Sequence, residues 1–289
     1  MRARVLTIAA LLTLHVPLAR AQDPSSATEP ATILVGVDIR RDRIQYHFDN
    51  PSSADTPFLV PHFFEQTYDA GNVWLVATAR YTAGVRWETS AGVTPPRTTR
   101  ADDFDTFVDP GDVVIVSGTT GDASSSAFLI SQRADIGRAG PVHVSLGYRL
   151  RWDRFNFHAG HKTVSRSGVL VAATDVASPE MTDSKVHELP VGFRAAAPFG
   201  GAWHLVVSGE ISPITLARLS VQLPEKYPDQ DLVFLAKVVA AAVRIALVRG
   251  GQRWPIEIAL QAERTASYRS TDRLSRSAHS IAIGAVRAW

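Results

Sequence analysis

Pro141-Val142-His143-Val144-Ser145-Leu146-Gly147-Tyr148-Arg149-Leu150-Arg151-Trp152-Asp153-Arg154 alternates without a break from Val142 to Asp153. Its even positions carry Val142, Val144, Leu146, Tyr148, Leu150 and Trp152; its odd positions carry His143, Ser145, Gly147, Arg149, Arg151 and Asp153. Side chains of a strand point to opposite faces in turn, so this stretch is a strand with one oily and one charged face.

The same period recurs along the chain. Residues 33–40 place apolar side chains on the odd positions. Leu189, Val191, Phe193 and Ala195 stand opposite Gly192 and Arg194, and Trp203, Leu205 and Val207 oppose His204, Ser208 and Glu210. Trp254, Ile256, Ile258 and Leu260 oppose Glu257 and Gln261. Residues 232–248 are apolar enough for a core helix or a strand. The strand reading is preferred because β-branched residues are frequent and the neighbouring segments are strands. It gives Val239, Ala241, Val243, Ile245 and Leu247 one face and Arg244 the other.

Connections come in two kinds. Residues 81–84, 137–141, 198–201 and 250–253 carry tight-turn residues. Residues 49–56, 90–126, 158–185, 222–231 and 267–276 read as longer polar loops. Short and long connections alternate, which predicts about ten strands.

Composition narrows the class. The 289 residues suffice for one large domain, the net charge of +2 carries no nucleic-acid signal, and there is no cysteine to form disulfides, thiolate metal sites or a thiol nucleophile. Arg2 and Arg4, an apolar run over 5–14 and Ala19-Arg20-Ala21 read as a secretory signal over residues 1–21. Residues 22–30 read as a disordered tail. The expected fold is all-β: a ten-stranded antiparallel transmembrane β-barrel of the outer-membrane type over residues 31–289, with long extracellular loops. Trp289 ends the last strand, as a barrel-assembly signal would. The competing fold is an exported β-sandwich, whose oily faces would pack on each other.

On the barrel reading the inward face holds Asp38, Arg40, Arg86, Glu88, Arg133, Asp135, Arg149, Arg151, Asp153, Arg194, Glu210, Arg244 and Glu257. Mixed charges on long side chains fill a narrow barrel, which argues against an open pore.

Ala101-Asp102-Asp103-Phe104-Asp105-Thr106-Phe107 is the chemical candidate. Asp103 and Asp105 are two apart, so an extended chain points both the same way. Paired carboxylates raise each other's pKa, and such a pair shares a proton and activates water. The bland alternative is an acidic loop tip. His158-Ala159-Gly160-His161 lacks a third metal ligand, and Gly118-Thr119-Thr120-Gly121 lacks the lysine of a phosphate loop, so no metal and no cofactor is expected.

The order of these segments resembles the omptins, ten-stranded outer-membrane proteases. The resemblance rests on Arg41-Asp42-Arg43-Ile44-Gln45-Tyr46 at the end of the first strand and on Asp102-Asp103-Phe104-Asp105-Thr106-Phe107. It rests also on residues 128–157, with Gly147-Tyr148 and Asp153-Arg154-Phe155. It implies that Asp103 and Asp105 are catalytic, that Asp42 binds a basic substrate side chain, and that Arg154 at the outer rim meets lipopolysaccharide phosphate. The implied partners are outer-membrane lipid and a peptide or protein substrate, with the loops at the cell surface. The family's second catalytic pair, Asp-x-His on the fourth loop, is absent. That loop reads Leu223-Pro224-Glu225-Lys226-Tyr227-Pro228-Asp229-Gln230-Asp231. His62, His158, His161 and His187 are the candidates to replace the missing base. Two functions stand open: a surface endopeptidase acting on basic peptides through an Asp pair and water, and a non-catalytic barrel binding a surface partner or lipopolysaccharide. A narrow channel is a third.

Overall fold

The computed structural model describes residues 31–50, 62–108, 114–177, 180–222, 231–250, 255–268 and 273–288. The expected signal and tail, the loop over 223–230, Trp254 and Trp289 lie outside these residues. The described strands are β1 (Thr32–Asn50), β2 (His62–Ala83), β3 (Val85–Val108), β4 (Val114–Ala139), β5 (Val142–Arg166), β6 (Val169–Val176), β7 (Glu180–Glu188), β8 (Val191–Gly200), β9 (Trp203–Gln222), β10 (Asp231–Arg249), β11 (Ile256–Ser267) and β12 (Arg273–Ala288).

They form a closed antiparallel ring. Neighbours pair in chain order from β1 to β5 and from β9 to β12, and β12 returns to β1. β7 and β8 are two lengths of one wall position, since both lie between β5 and β9. Across the join, the Leu189 N–H donates to the Ile214 carbonyl at 3.1 Å and the Gly147 N–H donates to the Pro190 carbonyl at 2.9 Å. The ring therefore has ten wall positions, with β6 as a hairpin arm on the far end of β5. Closure leaves no second sheet to pack against, which rules out the sandwich, and it joins the first and last strands of the ring edge to edge.

The alternation decides what faces where. Val35, Ile39, Leu146, Tyr148, Val243, Ile245, Leu260 and Ile281 are exposed on the outer face, while Arg40, Arg151, Asp153, Glu257 and Glu263 are buried in the lumen. The stretch over 232–248 is a strand within β10, as its β-branched content predicts. The short turns need left-handed backbone, and glycine supplies it at Gly84, Gly140, Gly200 and Gly201. On the outer wall the ring of Phe193 lies over Gly209, where an added Cβ would come within 2.6 Å of it. Glycine there makes room for the aromatic ring to cover the bare backbone.

Two expectations need correction. Residues 90–126 and 158–185 are not long loops. They are mostly strand, as β3 runs to Val108, β4 begins at Val114 and β5 continues to Arg166. β5 has 25 residues, about 80 Å of chain at roughly 3.3 Å per residue, against a hydrocarbon thickness of about 30 Å. Its far half stands clear of the oily belt, where no oily face is needed and the sequence turns to polar residues such as His158, His161, Lys162, Thr163, Ser165 and Arg166.

The longest interruption of the described ring lies between β2 and β3. The β2–β3 ladder breaks between Asp69↔Arg100 and Leu75↔Val93. The β3–β4 register shifts across Pro95-Pro96, between Thr94 and Arg97. Proline has no N–H to give to a ladder, so two in succession release β3 from β2. Side chains stitch the margins: Thr99 Oγ1 donates to the Asp69 carbonyl at 2.6 Å and Ser125 Oγ to the Arg97 carbonyl at 3.4 Å.

Candidate functional site

The lumen is layered. Next to the short turns lies a cavity. Above it sits a plug of ion pairs, and above the plug, toward the long-strand end, an aromatic and aliphatic floor. Asp42 anchors the plug. Arg40 Nε donates to Asp42 Oδ1 at 2.8 Å, Arg276 Nη2 donates to the same oxygen at 2.7 Å, and Arg151 Nη2 lies 3.4 Å away. Arg151 also grips Asp153 through Nε at 2.7 Å and Nη2 at 2.7 Å, and its guanidinium lies 5.1 Å from the Trp74 ring centroid. Arg40 is paired with Glu263 as well. Charges so deep are tolerable only when paired and hydrogen-bonded.

The floor follows directly along the strands. Ile44 and Tyr46 come after Asp42 on β1 and pack with Tyr68, Ala101, Phe155, Phe157, Val221 and Leu274. Tyr68 stacks on Phe155 with centroids 4.0 Å apart, and Tyr46 meets Tyr68 edge-on at 6.3 Å. Burial, and next the charge of Glu180, push the Tyr68 phenol well above its ordinary range. It stays protonated, and its hydroxyl lies 3.2 Å from Gln66 Oε1 and 3.2 Å from Thr182 Oγ1.

Asp103 and Asp105 stand on this floor. Register places Asp103 beside Gln66 of β2 and Thr119 of β4, and Asp105 beside Phe64 and Ser117. Asp105 is buried at 4% exposure, Ser117 and Thr119 are buried, and Phe104 between the acids is 46% exposed. The two carboxylates therefore share the inward face, as their spacing predicts, but from strand β3 rather than from a loop. The row continues Gln66, Asp103, Thr119, Lys162 across β2 to β5. Gln66 Nε2 donates to Glu180 on β7, bridging the lumen. At this level the described inward face holds three carboxylates, Asp103, Asp105 and Glu180, against Lys162.

Gln66, Glu180, Thr119 and Lys162 were not among the sequence-derived site residues. The signal was present in weak form, because Ser117 and Thr119 keep period two through a Gly/Thr/Ser run. Only the register of β3, β4 and β5 aligns them with the acids.

The other predicted residues are distributed as follows. Asp42 is fully buried beneath the floor, its Oδ1 held by guanidinium groups and its Oδ2 accepting from Asn72 Nδ2 at 3.5 Å, so a basic ligand side chain would have to displace an existing donor to reach it. Arg154 lies on the outer wall. Its Nε donates to Asp183 Oδ1 at 2.8 Å and its Nη2 to Oδ2 at 3.1 Å, and it rests 5.2 Å from the Trp152 ring with Lys185 at the same distance. The bond to Asp183 raises the Arg154 guanidinium further. His158 Nε2 lies 3.2 Å from Ser124 Oγ, His161 pairs with Asp175 on the β6 arm at 2.9 Å, and His187 lies 2.8 Å from the Tyr148 hydroxyl on the outer face. None of these three contacts is to the acid pair, and nothing is described of the His62 side chain. Among the described residues no group of three or more His, Asp or Glu is arranged to hold a metal ion. Gly118 to Gly121 is plain β4 strand, not a phosphate loop.

A closed ring with an oily exterior, an ion-paired lumen and strands that extend far beyond the belt at one end defines an outer-membrane β-barrel. The chain is similar to the outer membrane protease OmpT of Escherichia coli, with a TM-score of 0.65 over 92% of this chain and 99% of that one, at 8% identity. It also matches the β-domain of the Bordetella autotransporter Brka, with a TM-score of 0.41 at 10% identity over 90% of this chain and 100% of that one. No family model and no curated protein matches the sequence. At these identities the likeness is one of fold: a barrel of the kind that resides in the outer membrane of Gram-negative bacteria.

Proposed function

We propose that this barrel holds its long-strand end at the cell surface and there binds basic peptide or protein segments in an acidic cleft. The observation that carries this reading is the convergence of Asp103 and Asp105 on the inward face, above a closed aromatic floor and on the level of the Gln66–Glu180 bridge. Carboxylates gathered in a recess attract lysine and arginine side chains. Asp42 serves the plug below rather than the ligand. Arg154 and Lys185, flanking Trp152 on the outer wall, suit a lipopolysaccharide phosphate at the rim.

Peptide hydrolysis is the second reading, favoured by the shared face of Asp103 and Asp105. In it the pair orients a water against the peptide carbonyl and holds its proton. One experiment addresses both readings. Barrel refolded with lipopolysaccharide is given labelled peptides bearing Lys or Arg and neutral counterparts, with anisotropy reading binding and mass spectrometry reading cleavage. Preferential binding of the basic peptides, weakened in Asp103→Asn and Asp105→Asn, is expected. Equal binding by wild type and both variants would overturn the proposal. Cleavage next to Lys or Arg that both variants abolish would establish the hydrolase.

A further inference from the structure

The short-turn half of the lumen has chemistry of the opposite sign. A cavity of about 480 Å³ lies between the plug and the short turns. Its wall carries eight arginines (Arg40, Arg80, Arg86, Arg133, Arg149, Arg151, Arg194 and Arg244) and six carboxylates (Asp38, Glu88, Asp135, Glu210, Glu257 and Glu263). Most of these acids are already engaged. Glu88 takes Arg80 at 2.8 Å and Arg133 at 3.3 Å. Glu210 is shared by Arg133 and Arg149, and Glu257 is taken by Arg244 with Arg80 at 3.8 Å. Asp135 faces His143 at 3.5 Å.

Arg194 is left over. It lines the cavity from β8, and among the described residues it makes no ion pair and no hydrogen bond. The charges that act on it are Arg86 and Arg80, of its own sign, with Glu88, which Arg80 and Arg133 already engage, and Asp135, which faces His143. A guanidinium drawn out of bulk water without a counter-charge is unfavourable, and a mobile anion removes that cost. Guanidinium groups present planar forks of donors that match the oxygens of phosphate or carboxylate. The cavity falls within the roughly 300–1,000 Å³ of small-ligand sites.

We propose that this cavity binds a small oxyanion, with inorganic phosphate as its simplest representative, held by Arg194 and assisted by Arg86 and Arg80. The plug and the floor separate it from the acidic cleft, so the anion enters from the short-turn end. The site is independent of the surface-binding reading and stands or falls separately.

Trp74 and Trp87 line the same cavity and report on it. Refolded barrel in zwitterionic detergent is titrated with sodium phosphate, ionic strength being held constant with sodium chloride. Tryptophan fluorescence and ³¹P line width are both followed. The expected result is a saturable change in both signals, with affinity weakened by about tenfold or more in Arg194→Gln, the scale of one charge-assisted hydrogen bond. Arg100→Gln, on the outer wall, leaves the affinity unchanged. Arg194→Lys keeps the charge but not the fork and binds at an intermediate level, and it decides the matter should the glutamine variant fail to refold. No saturable response in wild type, or wild-type affinity in the Arg194 variants, would overturn the proposal.

Discussion

Arg151→Met tests whether the plug works by charge compensation. Arg151 is 3% exposed, and Asp153 is also 3% exposed. All the hydrogen bonds described for Asp153 come from Arg151, at 2.7 to 2.9 Å. Asp42 has other donors, Arg40 at 2.8 Å and Arg276 at 2.7 Å, so it survives the loss. The variant therefore strands one carboxylate rather than two. Breaking a buried pair by removing one partner costs about 3–5 kcal/mol, which is between about two and four powers of ten in the unfolding equilibrium constant. Asp153→Asn alone leaves Arg151 with Asp42 and costs less, about 1–3 kcal/mol. The double variant has no stranded charge and should recover a large part of the loss. Reversible urea unfolding in lipid vesicles, followed by tryptophan fluorescence in both directions, gives the three differences. A wild-type midpoint for Arg151→Met would refute the reasoning, as would a double variant whose loss equals the sum of the singles. Either result would mean that the plug is solvated well enough for its charges to stand alone.

Three further outcomes are expected. Burial pushes the Asp183 carboxyl up, but hydrogen bonds from Arg154 and Trp152 and the charges of Arg154 and Lys185 hold it below its ordinary 3.8. Its stabilising contribution is thus complete above that value and is lost as pH falls through the lower folded pKa. Acid unfolding should therefore cost wild type more than Asp183→Asn, and parallel curves for the two would count against the pair. Gly121→Ala places a Cβ 2.2 Å from the Ala159 carbonyl oxygen and 2.7 Å from Gly160 Cα, both backbone; a loss of about 1–3 kcal/mol is expected in urea unfolding, whereas Gly137→Ala, with nothing within 4 Å, stays near wild type. Hydrogen exchange should find amides within 70–74 that exchange faster than those over 75–83, because β2 there keeps its pairing with β1 but loses β3 on its other side; uniform protection along β2 would mean that the ladder closes in solution.

The sequence exposed the barrel where lipid forces a choice between faces. Along Val142–Asp153 every oily side chain must face out and every charge in, so alternation is strong and the parity of Arg149, Arg151 and Asp153 could be read directly. Beyond the belt both faces meet water or each other, and that constraint lapses. There Asp103 and Asp105 looked like a loop tip, although β3 holds them in a ladder with β2 and β4. Their common direction was legible, because two residues apart means one face in any extended chain. Their neighbours were not, since Gln66, Lys162 and Glu180 reach the pair only through the register of strands far apart in sequence. Asp42 shows the same limit. The resemblance implied that it binds a basic substrate side chain, yet Arg276, its partner at 2.7 Å, lies on β12 at the other end of the chain.

The layering also bears on transport. A narrow channel needs a continuous polar path, but the lumen is crossed first by Arg40, Asp42, Arg151 and Arg276, none more than 7% exposed, and then by Tyr46, Tyr68, Phe155 and Phe157, none more than 5%. Opening it would strand the charges of the first layer and wet the rings of the second, and both costs fall on the same strands. The barrel is better described as two chambers of opposite sign back to back, an acidic cleft that faces one side of the membrane and an arginine-rich cavity that faces the other. On the two proposals above, each chamber would attract the charge that the other repels, so a small ion entering either would meet an electrostatic barrier as well as a steric one at the plug. Planar-bilayer recordings of the refolded barrel should accordingly show no steady conductance, and a stable open level in wild type would refute the two-chamber description.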